Sequence, residues 1–91
     1  MAIVHTNSTV GTTPTLICRL PKGIPYTAVS IYNNDNNPIF LGDSTITTST
    51  GSQITSKALP VQLWLHAGDE LYAVSAAGTI ANGVSVIYSG I

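Results

Sequence analysis

"PVQLWLHAGDELYAVSA", Pro60 to Ala76, holds two alternating apolar runs on either side of "AGDE". Side chains of an extended chain point to opposite faces in turn, so strict alternation marks a half-buried strand. A short Gly/Asp stretch between two such runs marks a turn. The segment therefore predicts a hairpin with Ala67 to Glu70 as its loop. In that pairing His66 lies opposite Leu71, Trp64 opposite Ala73 and Leu63 opposite Val74, and Val61, Leu63, Leu65, Tyr72 and Val74 share a core face. Gln62, Trp64, His66, Leu71 and Ala73 share the other. The only tryptophan of the chain stands on that second face. Indoles bury a large area and are enriched at contact hot spots, which makes Gln62, Trp64 and His66 the candidate contact residues. The competing reading has Trp64 covered by a loop of the same domain or by a second sheet.

Outward from this unit the pattern repeats. No segment carries apolar residues at helical spacing over three turns, whereas short β-branched runs punctuated by Gly, Pro and Asn recur. Strands are expected near Ala2 to His5, Thr15 to Leu20, Ala28 to Tyr32, Ile39 to Leu41, Gln53 to Ser56, Val61 to His66, Leu71 to Ala76 and Val84 to Ser89. The expected fold is all-β: a single small antiparallel β-sandwich, jelly-roll-like or Ig-like, of about 7–8 short strands spanning residues 1–91. Met1 to Thr13 is also read as an N-terminal arm that orders on docking. In "LPKGIPY", Leu20 to Tyr26, the prolines lack the ladder donor and Gly23 takes positive φ cheaply, so the segment is a connection. "STITTSTGS", Ser44 to Ser52, is hydroxyl-rich and reads as an extended edge or a loop turning at Gly51.

Composition narrows the partners. Of 91 residues only 8% are charged while 44% are hydrophobic, against a charged share of about 25% in ordinary domains. Arg19, Lys22 and Lys57 face Asp35, Asp43, Asp69 and Glu70, so there is no basic patch for phosphates, and nucleic acid is not an expected partner. "MAIVHTNSTVGTT" lacks the basic and continuous apolar regions of a secretory signal, and the chain is expected to start as a mature protein. "NST" at Asn7 is a formal glycosylation sequon that predicts nothing without such a signal. Leu71 to Ile91 carries no charge, but Ser, Thr, Asn and Gly interrupt it and Val84, Val86 and Tyr88 alternate. Two strands and a turn are expected there, with no membrane span.

Candidate chemistry is sparse. Within "IYNNDNNPIFLGD", Ile31 to Asp43, an EF-hand register starting at Asp35 puts Ile39, Phe40 and Ile46 where ligands or glycine belong, so no metal site is expected. The cluster reads instead as a hairpin or loop, because Asn and Asp bond their own backbone and tolerate left-handed φ. "GDS", Gly42 to Ser44, carries a hydroxyl nucleophile, and His5, His66 and Asp69 are available to activate one. The G-x-S-x-G elbow and its helix are absent, so no enzyme is expected and no catalytic residue is assigned. Glycine-rich phosphate loops and CxxC pairs are absent too, and no cofactor is expected. Cys18, the only cysteine, is expected in the core in phase with Leu16 and Leu20.

A domain this small hides only about 60–70% of its unfolded surface, has no disulfide, and carries few of the charges that normally protect exposed strand edges. Association that covers apolar surface resolves the conflict, and a homo-oligomer, dimer or trimer, is expected. At this point "VSIYNNDNNPIFLGDSTITTSTG" (Val29 to Gly51), "AGDELYAVSAAG" (Ala67 to Gly78) and "VSVIYSGI" (Val84 to Ile91) bear on family. Across Val29 to Ile91, about two-thirds of the chain, the sequence resembles small β-sandwich structural proteins of tailed bacteriophages. The resemblance implies a non-enzymatic virion protein made in the host cytoplasm, and the size suggests a capsid cement or decoration protein on the capsid surface that binds the major capsid protein or other virion proteins. A head-to-tail, tail or fibre component is one alternative, and a carbohydrate- or receptor-binding β module, for which Trp64, Tyr26, Tyr32 and the Asn-rich loop would supply stacking and hydrogen bonds, is the other.

Overall fold

The computed structural model describes residues 3–54 and 60–89. Eight strands follow in order: β1 (Ile3–Val10), β2 (Thr15–Arg19), β3 (Tyr26–Asn33), β4 (Ile39–Gly42), β5 (Ser52–Ile54), β6 (Val61–His66), β7 (Glu70–Ser75) and β8 (Ile80–Ser89). They form two antiparallel four-stranded sheets, β1-β8-β3-β6 and β2-β7-β4-β5, packed as a β-sandwich. Every strand expected from the alternating runs is present, several of them longer. The end of the run expected over Gln53 to Ser56 lies outside the described residues. The segment read as an arm is β1 from Ile3 to Val10, paired with β8 along its length; Met1 and Ala2 lie outside the described residues.

The pairing has a simple generator. β4 pairs with β5, β3 with β6, β2 with β7 and β1 with β8, so the chain doubles back once and forms a single long two-stranded ribbon. Rolling that ribbon brings β8 against β3 and β7 against β4. This is the jelly-roll topology, and it decides between the two sandwich types expected.

The ribbon does not break at the two corners whose connections are fully described. Between β2 and β3 and between β6 and β7, the two connections run side by side: the Leu20 amide donates to Asp69 O (2.9 Å), the Gly68 amide to Leu20 O (2.8 Å) and the Ala67 amide to Pro25 O (3.1 Å). Gly68 sits at φ 85°, a left-handed conformation that costs glycine little. At the opposite corner the Ser75 amide donates to Gly11 O (2.8 Å). Bonded corners matter because backbone groups at a bend would otherwise be buried or frayed without partners.

These corners correct the expected hairpin. β6 pairs with β3 and β7 with β2 and β4, so "AGDE" joins different sheets and does not close a hairpin. The bend also breaks the phase relation assumed across the turn. Val61, Leu63 and Leu65 do pack on the core between the sheets, to which β7 contributes Leu71 and Ala73; Val74 is buried as expected but outside that cluster, Tyr72 is half-buried, and Leu71 and Ala73 do not share a face with Trp64. A second correction falls on β2. Its register shifts between Leu16 and Cys18, and this bulge leaves Cys18 in the core but turns Leu16 outward, 37% exposed.

The core is aliphatic: Val10, Val29, Ile31, Ile39, Val84 and Val86 are almost completely buried between the sheets. Burial pushes the Cys18 thiol up from its ordinary range, and the same desolvation, aided by the nearby Cys18, raises the Tyr88 hydroxyl. Unfolded chains therefore release these protons first as pH rises, and stability is full below the ordinary thiol range and falls above about pH 8.5. Urea titrations from pH 7 to beyond pH 9 should show that decline, and Cys18 in the native protein should resist disulfide reagents at pH 8 while reacting fully in denaturant. Ile31→Ala should lower the unfolding free energy by about 2–5 kcal/mol in the same titrations, because the central position cannot collapse around the missing carbons.

Candidate functional site

Alternation in four adjacent strands builds one continuous surface. On the outer side of the β1-β8-β3-β6 sheet, His5, Ile87, Ser30 and Gln62 form one cross-strand row. Ile3 and Ser89 lie together in the next row, with the Ala28–Trp64 pair beside them. Tyr26 pairs with His66 at one end, and Tyr32 with Ser85 and Asn7 towards the other. Among the described residues, none on this face is Asp, Glu, Lys or Arg. Four of the large apolar side chains that stay exposed belong to it: Ile3, Tyr26, Trp64 and Ile87.

Gln62, Trp64 and His66 all point outward from β6, as the alternation predicts. Trp64 is 57% exposed, so no described element covers it as the competing reading required. Its ring stacks on Tyr26, with centroids 4.8 Å apart and planes at 21°. Tyr26 in turn meets the His66 ring at 4.6 Å. The three rings form a row because Tyr26 is directly opposite His66 and diagonal to Trp64, within reach for aromatic side chains. The His66 amide donates to Asp69 Oδ2 (2.8 Å), and that carboxylate lies 3.7 Å from His66 Nδ1. Ile3 and Ile87 were not among the residues expected here, and Tyr26 was expected beside Trp64 only in the carbohydrate- or receptor-binding alternative. Their outward phase was readable from alternation, but their adjacency to Trp64 follows from strand order.

The far end of the face is amide and hydroxyl. Ser85 Oγ donates to Asn7 Oδ1 (2.7 Å), and Asn34 Nδ2 reaches Ser85 Oγ (2.7 Å) and Asn82 O (3.1 Å). This links the asparagine-rich β3–β4 connection to the sheet. The rest of that connection is self-organising, as expected of a loop. Asn33, completely buried, donates from Nδ2 to Asn37 O (2.9 Å) and Ile54 O (3.1 Å), while its Oδ1 accepts from the Asp35 amide (2.9 Å). Asp35 Oδ2 accepts from the Asn37 amide (3.0 Å) and Nδ2 (2.9 Å). Because β3 and β4 belong to different sheets, the connection is a corner and not a hairpin.

The hydrolytic alternative does not assemble. Ser44 lies on the β4–β5 connection of the other sheet, whereas His5 and His66 both project from the outer face of this one. Asp43 is occupied locally: the Thr45 hydroxyl (2.6 Å) and amide (2.8 Å) donate to it, and these bonds hold its carboxyl below the usual range. A cleft of about 360 Å³ there is lined by Leu41, Asp43, Thr45, Ile46, Thr50 and Ser52, with one carboxylate and no imidazole. Among the described residues no three His, Cys, Asp or Glu side chains gather as metal ligands do.

The fold and face thus define a jelly-roll domain with one uncharged, aromatic-bearing sheet surface. No protein-family model matches the chain, and no curated protein and no solved structure matches it either.

Asn33 is itself buried and holds the carbonyl of Ile54 in a buried bond and that of Asn37 in a part-buried one, so Asn33→Ala should lower unfolding free energy by about 1–3 kcal/mol, the cost of leaving a buried polar group unpaired. Asn34→Ala, at the exposed edge of the same network, should cost less than about 1 kcal/mol. Urea denaturation of the two variants checks the difference.

Proposed function

We propose that this chain is a non-enzymatic structural protein of a tailed-phage virion, a cement or decoration protein that binds and stabilises the major capsid shell. The single observation that carries the reading is the uncharged outer face of β1-β8-β3-β6, with Trp64, Tyr26 and His66 exposed upon it. Exposed apolar surface of this extent on a small domain marks a contact site, and stacked aromatics supply its anchors. Jelly rolls also occur in capsid proteins, which is support by analogy of fold alone.

The proposed mechanism is mechanical. The face lies across joints between shell subunits, Trp64 and Tyr26 fill apolar depressions, and Gln62, Ser30 and Asn7 exchange amide and hydroxyl bonds. Symmetry repeats the contact, so each copy needs only modest affinity. An interface without charges is weakly sensitive to salt. Self-association belongs to the same reading, since it too covers apolar surface. Head-to-tail, tail or fibre placement is served by the same face, and sedimentation against heads and tails separately distinguishes them.

A second reading draws on the same rings. The half-exposed Tyr26–Trp64 pair, with Gln62 and His66 beside it, suits stacking and hydrogen bonding to a sugar, which is the carbohydrate- or receptor-binding alternative. Binding of the isolated protein to a glycan array favours it.

Co-sedimentation with assembled shells of the phage that carries the coding sequence tests the leading reading. Wild-type protein should pellet with shells almost equally at low and high salt, and Trp64→Ala should weaken attachment by about 2 kcal/mol, roughly thirty-fold, without unfolding the domain. Unchanged folding together with unchanged attachment would remove Trp64 from the interface.

A further inference from the structure

Each sheet of an open sandwich has two edge strands, and here they are β1 and β6 in one sheet and β2 and β5 in the other. Two of the four carry a device that discourages pairing with another chain. β1 and β2 contain register shifts, and β2 ends in the Arg19–Glu70 cross-strand ion pair; β5 is described from Ser52 to Ile54. β6 differs: six residues, unbroken register with β3, no charge within it, and no described strand on its other side.

The backbone of β6 fixes what that free edge offers. The Ala67 amide donates to Pro25 O, in line with the register that pairs Leu65 with Thr27, Leu63 with Val29 and Val61 with Ile31. Bonded and non-bonded pairs alternate along an antiparallel ladder, so these residues turn their N–H and C=O groups towards β3. Gln62, Trp64 and His66 turn theirs outward. The His66 amide is taken by Asp69 Oδ2, and His66 O accepts from the Asp69 amide (3.0 Å). The edge therefore presents Gln62 and Trp64, two donors and two acceptors.

We infer that β6 pairs antiparallel with β6 of a second copy of this chain, about a two-fold axis that passes between the two Leu63 residues. Only this register lets Gln62 of each copy bond Trp64 of the other and uses all four groups. A register centred on Trp64 would need the His66 groups already bonded to Asp69. Centring on Leu63 also keeps faces matched. The half-buried Val61, Leu63 and Leu65 meet Leu65, Leu63 and Val61 of the second copy and extend the core, while each Gln62 side chain lies beside an exposed Trp64. A two-fold axis sets a surface against itself, so charged residues would repel their like; this strand and face contain none. The occupant is accordingly a second copy, in a closed dimer with a continuous eight-stranded sheet. The inference rests on the self-association part of the proposed function and not on the capsid assignment.

Sedimentation equilibrium of the purified protein should give twice the 9.5 kDa chain mass. Gln62→Pro removes an edge-directed donor without touching the β3 ladder and should return the mass to that of a monomer. Leu63→Cys places two thiols across a non-bonded pair whose Cα atoms are about 4.5 Å apart, inside the range a disulfide spans. Mild oxidation should convert it to a covalent dimer, and Gln62→Cys should not cross-link. A monomer at every accessible concentration overturns the inference, as does a dimer that survives Gln62→Pro and is not captured through Leu63→Cys. Should Gln62→Pro fail to fold, the Leu63→Cys cross-link decides alone. Shell co-sedimentation is read separately, so loss of either reading leaves the other measurable.

Discussion

The hydrogen bonds between the two corner connections, Leu20 with Gly68 and Asp69 and Ala67 with Pro25, make one ribbon out of what would otherwise be two separate sheets. A strand crossing from sheet to sheet must bend, and at the bend its amides lose their ladder partners. Here each bending strand bends beside its own partner, so the ladder continues around the corner. That constraint carries into the rest: with β2–β3 and β6–β7 turning together, β8, already paired with β1, lies against β3, and β7, already paired with β2, lies against β4. The outer face with its aromatic row is a consequence of this rolling, since it brings β3 between β8 and β6.

Local periodicity carried far in the sequence because each strand is short, amphipathic and closed by Gly, Pro or Asn. The eight runs, the burial of Cys18 and the outward phase of Gln62, Trp64 and His66 were all legible. Strand partners were not. "AGDE" has the composition of a hairpin loop, and nothing local distinguishes a turn that returns a strand along its neighbour from one that carries it over to the other sheet. The Asp69 carboxylate bonded to the His66 amide would close either. The bulge in β2 was hidden for a related reason: it depends on how Leu71 and Tyr72 align across the ladder, and Leu16, Cys18 and Leu20 look in phase when read alone. The face was legible only in part, because Tyr26, Ile3 and Ile87 reach Trp64 through topology.

The placement of the few charges sharpens what the face can do. Arg19 and Glu70 pair across β2 and β7; Asp35, Asp43 and Asp69 accept from neighbouring amides in turns; Lys22 sits in the β2–β3 connection. Among the described residues, charge therefore ends strands and shapes corners. Solvation of the sheet faces falls to Ser, Thr, Asn and Gln, whose neutral dipoles are cheaper to desolvate than ions. A contact made through such a face loses little when water leaves it. Its orientation comes from the shape of the Tyr26–Trp64–His66 row and from directional amide and hydroxyl bonds.

The same economy explains why face and edge belong together. β6 is where the aromatic row stands and where the sheet ends with unbonded groups. An edge strand guarded by lysine would have placed a cation beside Trp64 and Tyr26, giving the face a desolvation cost and a bias in the partners it accepts. A bulge would have twisted Trp64 away from Tyr26 and broken the stack. Keeping the face neutral and the β6 register unbroken leaves the β6 edge open, so a chain that uses this surface must also cover that edge. Pairing two copies does so with groups the chain already has, and doubles the width of the neutral face in the same step.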